Sequence, residues 1–192
     1  MSKVIYLIGS LRNPEIPKIA NTIRAKGFEV FDDWFAAGEK ADDSWRDYEK
    51  QRGHSYKEAL AGYAAKHVFA FDKLHLNRCD GAVLVMPAGK SGHLELGYVS
   101  GIGKPAWVLF DSVPERYDVM TQFATAGACF SEEELLTSLQ EYFAEGKEKE
   151  VVKSSKEVST VCTPHDVSQT YIRGRHSEVR FSPPATTKRV RF

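Results

Sequence analysis

Short, almost continuously apolar runs recur along the first 110 residues, separated by stretches in which apolar and polar residues mix. The runs occupy residues 4–8, 28–31, 82–86 and 106–110. Runs of this length without polar alternation are typical of strands buried on both faces of a parallel sheet. The pattern therefore predicts four such strands, the first of which ends in the turn Gly9-Ser10.

The segments between and after these runs carry apolar residues every three or four positions, which predicts amphipathic helices. Helices are expected over about residues 14–26, 55–76, from near His93 onward, and 131–143. Gly27 ends the first helix, a common position for glycine. Residues 38–54 are polar with weak periodicity, and we expect an excursion over the face that carries the site.

The order of strands and helices, βα-β-α-βα-β-α, predicts the fold class. It favours an α/β fold with a doubly wound, mostly parallel sheet of four to five strands, flavodoxin- or Rossmann-like. We assign residues 1–145 to this domain and residues 146–192 to a linker and a basic C-terminal extension. The extension cannot bury a core alone, so we expect it to be disordered or to lie on the main domain or a partner subunit.

Composition narrows the class of protein. The chain has 192 residues, 42% hydrophobic and 27% charged, as expected for one soluble globular domain with an appendage. It contains no run of about 18 apolar residues and no signal-peptide pattern at the N-terminus, so we expect a cytoplasmic protein without a membrane span. Three scattered cysteines fit a reducing compartment and resemble neither a disulfide framework nor a zinc site.

The net charge of zero conceals an uneven distribution. Residues 171–192 hold six Lys or Arg and one Glu, a surplus of five positive charges that the rest of the chain balances. Such a tail is able to contact nucleic acid, to dock on an acidic neighbouring subunit, or to remain solvated, and the sequence leaves these alternatives open.

Two glycine-containing segments resemble nucleotide-binding motifs but do not match them. Gly89-Lys90-Ser91 lacks the earlier glycine of a P-loop, because Leu84 stands at that position. The pair Gly101 and Gly103 lies between a helix and a strand, which is the wrong side for binding pyrophosphate. The six histidines show no ligand spacing, so we expect neither a metal nor another cofactor.

The loop after the first strand is a candidate phosphate site. It reads Gly9-Ser10-Leu11-Arg12-Asn13 and directly precedes a helix. Backbone N–H groups, a hydroxyl and a guanidinium at a helix N-terminus suit a phosphate. The alternative is that Ser10 and Asn13 only cap turns and that Arg12 is solvated.

The third apolar run leads into the most informative stretch of the chain. A loop that includes Gly89 and Ser91 follows the strand, and Glu95 is expected in the first turn of the next helix. There the helix dipole would keep the carboxylate ionised and available as a nucleophile. Asp72, late in the long helix, offers a second carboxyl group as proton donor. Alternatively, Glu95 is an ordinary first-turn residue and Asp72 is solvated.

Three segments together resemble the nucleoside 2-deoxyribosyltransferase family, which includes relatives that hydrolyse nucleoside 5′-monophosphates. They are Tyr6-Leu-Ile-Gly-Ser-Leu-Arg12, then Phe71-Asp72 followed by Leu76-Asn-Arg-Cys-Asp80, then Gly89-Lys-Ser-Gly-His-Leu-Glu-Leu-Gly-Tyr98. The resemblance covers about residues 3–111. Its sharpest element is Ser-x-x-x-Glu-Leu-Gly after the strand and loop.

The resemblance implies a role for each motif residue. Glu95 attacks the anomeric carbon and forms a covalent deoxyribosyl ester while the base departs. Asp72 helps to protonate the base, and Tyr6 orients Glu95 from the first strand. Asp80 matches a structural Asp that leads a strand. Trp34, with Phe35 and Trp45, is a candidate to stack on the base, ordinary packing being the alternative.

The resemblance also implies a substrate class. Ser10, Arg12 and Ser91, with the backbone of Gly9, Asn13 and Gly89, favour a sugar 5′-phosphate. Family members are homo-oligomers whose active sites include residues from the adjacent chain. The basic tail is a candidate to supply such residues here. Residues 33–56 and the tail have no counterpart in the family pattern, which leaves the substrate and the acceptor open.

The resulting expectation is an enzyme that cleaves the N-glycosidic bond of a nucleoside 5′-monophosphate or nucleoside, by hydrolysis or base exchange. An NAD-type glycohydrolase would use the same Glu chemistry on a ribosyl–nicotinamide bond. A non-catalytic nucleotide-binding sensor would use the carboxylate only to grip ribose hydroxyls. The sequence leaves open which base is cleaved, whether the sugar is ribose or deoxyribose, and which group accepts the sugar.

Overall fold

A five-stranded, entirely parallel sheet forms the centre of the computed structural model, which describes residues 2–144. Its strands are β1 (Val4–Ile8), β2 (Glu29–Phe31), β3 (Gly81–Val85), β4 (Ala106–Leu109) and β5 (Gly127–Cys129). They lie in the order β2-β1-β3-β4-β5. This order is that of flavodoxin-like doubly wound folds and confirms the predicted class. The predicted linker and basic extension, residues 146–192, lie outside the described residues.

Six α-helices connect and cover the strands in the described part of the chain. They are α1 (Ile16–Arg24), α2 (Ala41–Gln51), α3 (Tyr56–Ala61), α4 (Tyr63–Arg78), α5 (Lys90–Gly101) and α6 (Glu132–Ala144). Two 3₁₀ helices, Asp33–Ala37 and Val119–Phe123, lie in the connections after β2 and β4. None of the helices within residues 2–144 has the length and apolar character needed to cross a membrane.

Alternation along β1 divides the core into two layers. Ile5 and Leu7 pack with α1 and α6 on one face of the sheet, whereas Tyr6 and Ile8 pack with α4 and α5 on the other. Successive side chains of a strand point to opposite faces, so the sequence Ile-Tyr-Leu-Ile dictates this division. Tyr6 is thereby placed among side chains of α4 and α5.

The sheet reverses its winding between β1 and β3, which pair directly. In open parallel sheets a crevice forms at the carboxyl ends of the strands on either side of such a point. Gly9 follows β1 at this edge, and Met86, a cis peptide bond to Pro87 and Gly89 follow β3. The two loops singled out in the sequence therefore leave adjacent strands at the same edge.

Close packing fixes α5 against this part of the sheet. A Cβ atom on Gly92, in its first turn, would come within 3.0 Å of Leu84 Cδ1 and 3.1 Å of Ile8 Cγ2. Because glycine carries no side chain there, the helix lies close to β1 and β3. Glu95, three residues further on, is held at a fixed distance from the sheet.

Two predicted helices and the predicted polar excursion differ from what the structure shows. Helix α5 begins at Lys90 rather than near His93, with Gly89 in extended conformation before it. The helix expected over residues 55–76 is interrupted at Gly62, whose extended backbone separates α3 from α4. The expected excursion, residues 38–54, contains helix α2, whose one buried side chain is the carboxylate-bearing Glu49.

Candidate active site

Three neighbouring elements bring Tyr6, Asp72 and Glu95 together on one face of the sheet. Tyr6 lies in the middle of β1, Asp72 on α4 and Glu95 on α5. The negative charge of Asp72 raises the pKa of Glu95, and the charges of Glu95 and Asp72 both raise the pKa of Tyr6, after the larger effect of burial. Interactions of this strength require proximity in a poorly solvated site.

Glu95 lies in the second turn of α5, not in the first turn as predicted. Burial, with a smaller contribution from Asp72, raises its pKa to about 7. The influence of a helix dipole falls off beyond the first turn. The expectation that the dipole keeps Glu95 ionised is therefore wrong, because desolvation outweighs it.

Asp72 is half-buried, and burial raises its pKa while His75 opposes the rise. Two carboxyl groups that repel each other in a desolvated site release their protons in two separate steps that belong to the pair. Between these steps one proton is held by the two groups together. Because the pKa of Glu95 is about 7, the upper of the two steps falls near neutral pH.

His75 is a site residue that the sequence analysis missed. Its ring stacks on Phe31 of β2 with centroids 3.7 Å apart and an interplanar angle of 11°, and it meets the edge of Phe71 at 4.7 Å. Its Nδ1 atom is buried and has no hydrogen-bond partner among the described residues. The signal that was available is its position three residues after Asp72, on the same face of a helix.

Tyr6 completes the buried group of polar side chains. It is 1% exposed, and its ring lies 5.0 Å from that of Phe31. Burial, together with the nearby carboxylates, raises its pKa well above the ordinary tyrosine value. Its hydroxyl therefore stays protonated at physiological pH and is able to donate a hydrogen bond.

Asp80 has a structural environment instead. Its carboxylate accepts a hydrogen bond from the backbone N–H of Val4 at 2.8 Å and another from Lys3 Nζ at 3.2 Å. These bonds tie the beginning of β1 to the residue that precedes β3.

The loop after β1 shows local hydrogen bonding at the predicted phosphate residues. Ser10 Oγ accepts a bond from the backbone N–H of Arg12 at 3.2 Å, and Asn13 Oδ1 accepts one from Glu15 at 3.0 Å. Both side chains thus cap turns, in agreement with the alternative to a phosphate-binding role given above. Arg12 Nη2 donates to Asp43 Oδ2 of α2 at 3.0 Å, with the arginine side chain 64% exposed.

Gly9 makes the close turn out of β1 possible. A Cβ atom there would lie 2.4 Å from Ile16 Cδ1, inside the space that this fully buried side chain fills. The backbone of the loop can pass beside the start of α1 for this reason.

The loop after β3 contributes Gly89 and Ser91. Gly89 precedes the first residue of α5, and its carbonyl oxygen lies 2.9 Å from Nδ1 of His93. Ser91 is exposed in the first turn, one turn before Glu95. The structure therefore places Ser91 and Gly89 at the same sheet edge as residues 9–13.

The aromatic candidates are partly committed to packing. Trp34 Nε1 donates to the carbonyl oxygen of Leu7 in β1 at 2.8 Å, and its half-buried ring packs against both layers of the core. Phe35 meets it edge-on at 5.8 Å. Trp45 of α2 is half-buried, and its Nε1 atom finds no partner among the described residues. No group of three or more His, Cys, Asp or Glu within residues 2–144 is arranged to hold a metal ion.

Comparison with known proteins finds likeness at the level of solved structures. The Clostridium botulinum CMP N-glycosidase BcmB is similar with a TM-score of 0.45 and 17% identity, over 72% of this chain and 99% of that one. The 2-deoxyribosyltransferase from the psychrotolerant bacterium Bacillus psychrosaccharolyticus is similar with a TM-score of 0.47 and 18% identity, over 69% and 90%. No family model and no curated protein matches the chain.

We predict that Glu95→Gln stabilises the protein at pH 8. The folded chain retains the Glu95 proton up to about pH 7, whereas the ordinary pKa of 4.5 governs the unfolded chain. Stability therefore falls as pH rises between these values, and the charge-free variant escapes that loss. A shift of this size corresponds to a gain of up to about 3 kcal/mol above pH 7, absent below pH 4.5. Urea unfolding across this pH range measures it.

Glu39→Gln is the matched control, because it removes an exposed carboxylate outside the helices. It should leave the dependence of stability on pH close to that of the wild type. Equal pH dependence in wild type and Glu95→Gln would contradict the burial of Glu95.

Proposed function

We propose that the protein is an N-glycosidase or deoxyribosyltransferase of the nucleoside 2-deoxyribosyltransferase type, acting on a nucleoside 5′-monophosphate or nucleoside. The observation that carries this proposal is the partly buried pair Glu95 and Asp72, whose charges both raise the pKa of the buried Tyr6 hydroxyl. Two carboxyl groups of unlike environment are the equipment of a retaining glycosidase, one as nucleophile and one as acid.

The proposed reaction proceeds in two displacements at the sugar C1′ atom. An oxygen of the Glu95 carboxylate forms a bond to C1′ as the N-glycosidic bond breaks, and the bonding electron pair leaves with the base. Asp72 transfers its proton to that base. A water molecule or a second base then attacks C1′, gives a proton to the Asp72 carboxylate and releases Glu95.

The singly protonated pair suits this sequence of steps. In the free protein, burial favours the proton on Glu95, whose pKa is about 7. The reacting form is the tautomer with the proton on Asp72 and the charge on Glu95. Positive charge that develops at C1′ as the glycosidic bond breaks stabilises that tautomer in the transition state.

Tyr6 is the proposed positioning residue for Glu95. A phenol that remains protonated can donate to one carboxylate oxygen and leave the other free to attack. Since Tyr6 is buried in the interior strand β1, it constrains the carboxylate without moving itself.

The loops at the carboxyl edge of the sheet are the proposed binding region for the sugar phosphate. Ser91 and Ser10 offer hydroxyl groups, and Arg12 offers an exposed guanidinium on the adjacent loop. Arginine and backbone N–H groups are good donors to phosphate oxygens. This chemistry supports a 5′-monophosphate over a free nucleoside.

A homo-oligomer is part of the proposal. Large apolar side chains on α3, α4 and α5 are exposed, among them Tyr63 (92%), Phe69 (66%) and Leu94 (76%). Helix α4 contacts both α3 and α5, so these exposed side chains lie on neighbouring helices, and exposed apolar patches mark interaction sites. Sedimentation velocity of the full chain should show a dimer or larger species, and Phe69→Glu should shift it towards the monomer. A wild-type monomer at micromolar concentration would contradict the proposal.

We predict that base is released from at least one of the four deoxynucleoside 5′-monophosphates. Glu95→Gln should lower the rate at least about a thousandfold, since the amide cannot act as nucleophile. Chromatography measures the free base. Mass spectrometry of the acid-quenched wild type should show a deoxyribose phosphate adduct on the peptide that contains Glu95.

Glu39→Gln controls for the loss of one negative charge and should keep the wild-type rate. Release from NAD alone would support the glycohydrolase alternative instead. Nucleotide binding without release of any base would favour a sensor.

The dependence of kcat/KM on pH should be bell-shaped with its falling limb near pH 7. Below the lower limb both carboxyl groups of the pair are protonated, and above the upper limb Asp72 has no proton to give. Asp72→Asn should lower the rate about a hundredfold and replace the bell with a single rising limb, because only Glu95 then titrates. A bell-shaped profile in Asp72→Asn would refute the assignment.

A further inference from the structure

A chain of ion pairs links the loop after β1 to helix α2. Arg12 Nη2 lies 3.0 Å from Asp43 Oδ2, and the other oxygen of Asp43 lies 2.8 Å from Arg46 Nη1. Arg46 Nε also lies 2.8 Å from Asp47 Oδ1. Asp43 therefore stands between two guanidinium groups, one on the loop and one on its own helix.

Charged side chains make contacts in both halves of helix α2. Its buried side chain is Glu49, whose carboxylate lies 2.6 Å from His54 Nδ1 and 3.5 Å from Arg52 Nη1. These contacts anchor the C-terminal end of the helix. The pair of Arg12 and Asp43 joins its N-terminal half to the loop after β1.

Asp43 forms an ion pair with Arg12, the residue that the proposed function assigns to binding the substrate phosphate. A phosphate monoester carries a charge near −2 at neutral pH and accepts two parallel bonds from a guanidinium. A carboxylate carries one charge. The two acceptors therefore compete for one exposed group, and the phosphate is the stronger ligand.

We propose that Asp43 is a specificity-determining residue that holds Arg12 in the free protein and is displaced by the 5′-phosphate of the substrate. The inference rests on the proposed function, since it takes Arg12 as the phosphate ligand. Displacement leaves Asp43 paired with Arg46, so no carboxylate is left without a counter-charge. Asp43 thus weakens the binding of phosphate-bearing ligands and has no effect on nucleosides.

The size of the effect follows from exposure. The side chains of Arg12 and Asp43 are 64% and 42% exposed, and exposed ion pairs are weak. Removing the competitor should tighten phosphate binding by about two- to fivefold. The gain should shrink in about 0.5 M salt, because screening weakens interactions between exposed charges.

Asp43→Asn tests the inference, with Asp47→Asn as its matched control. Both variants remove one negative charge from the same helix, but Asp47 pairs with Arg46 and not with Arg12. Calorimetry measures the Kd of each deoxynucleoside 5′-monophosphate, its parent nucleoside and inorganic phosphate. We expect tighter binding of the monophosphates and phosphate in Asp43→Asn, with nucleoside binding and the control unchanged.

A second background separates direct competition from a general effect of charge. In Arg12→Gln, the further change Asp43→Asn should give no gain, because the contested group is gone. Equal gains in Asp43→Asn and Asp47→Asn, a gain for nucleosides, or a gain that persists in Arg12→Gln would each overturn the inference.

The measurement is independent of turnover. Carried out in Glu95→Gln, it reads phosphate binding even if no base is released from any nucleotide. Absence of base release with the expected binding pattern would refute the glycosidase proposal and leave the role of Asp43 standing. Absence of phosphate binding in both wild type and Asp43→Asn would overturn the role of Asp43 whatever the base-release assay gives.

Discussion

The constraint on which the site depends is the partial removal of two carboxyl groups from water on one face of the sheet. A buried carboxylate is costly, and the repulsion between Asp72 and Glu95 adds to that cost. The protein lowers this cost by keeping a proton on the pair. The fold enforces the arrangement, because β1 directs Tyr6 towards α4 and α5, and Gly92 lets α5 approach the sheet closely. Folding therefore favours a proton on Glu95, whereas the proposed reaction needs Glu95 as a carboxylate.

The two sides of the site are built on different physical principles. The carboxylates and Tyr6 are carried by elements whose apolar side chains fill the core, so their geometry follows from close packing. The residues proposed to bind phosphate lie on a surface loop, where Arg12 forms an exposed ion pair with Asp43 of α2. The proposed chemistry at C1′ thus occurs on a rigid scaffold. The proposed phosphate ligand, Arg12, lies instead on an exposed loop, where an ion pair can exchange one partner for another.

Sequence patterns predicted the parts of the structure that depend on continuous apolar runs. Strands β1 to β4, the order of elements and the meeting of the motif segments at one sheet edge follow from such runs and from the rules of parallel sheets. Two features escaped because their local signals are weak. Helix α2 is mostly polar and its one buried side chain is charged, and α5 begins after a glycine without a capping side chain, so its start was placed too late.

The environment of Glu95 could not be predicted from the sequence for a related reason. Its pKa depends on how deeply α5 packs and on the distance to Asp72, which are tertiary quantities. The misplaced helix start also led to the wrong sign for its electrostatics. His75 escaped because a histidine in an amphipathic helix has no distinguishing pattern until Phe31, from a distant strand, is seen to stack on it.

The pairing of β1 with β3 has a consequence for how the protein comes into being. The nearer neighbour of β1 is β2, where Val4 pairs with Glu29, but on its other side Ile5 pairs with Gly81, far along the chain. Glu95, on α5, comes later still. Contacts of such sequence separation form slowly in general. A nascent chain therefore lacks the candidate site until α5 has been synthesised and has packed against the sheet.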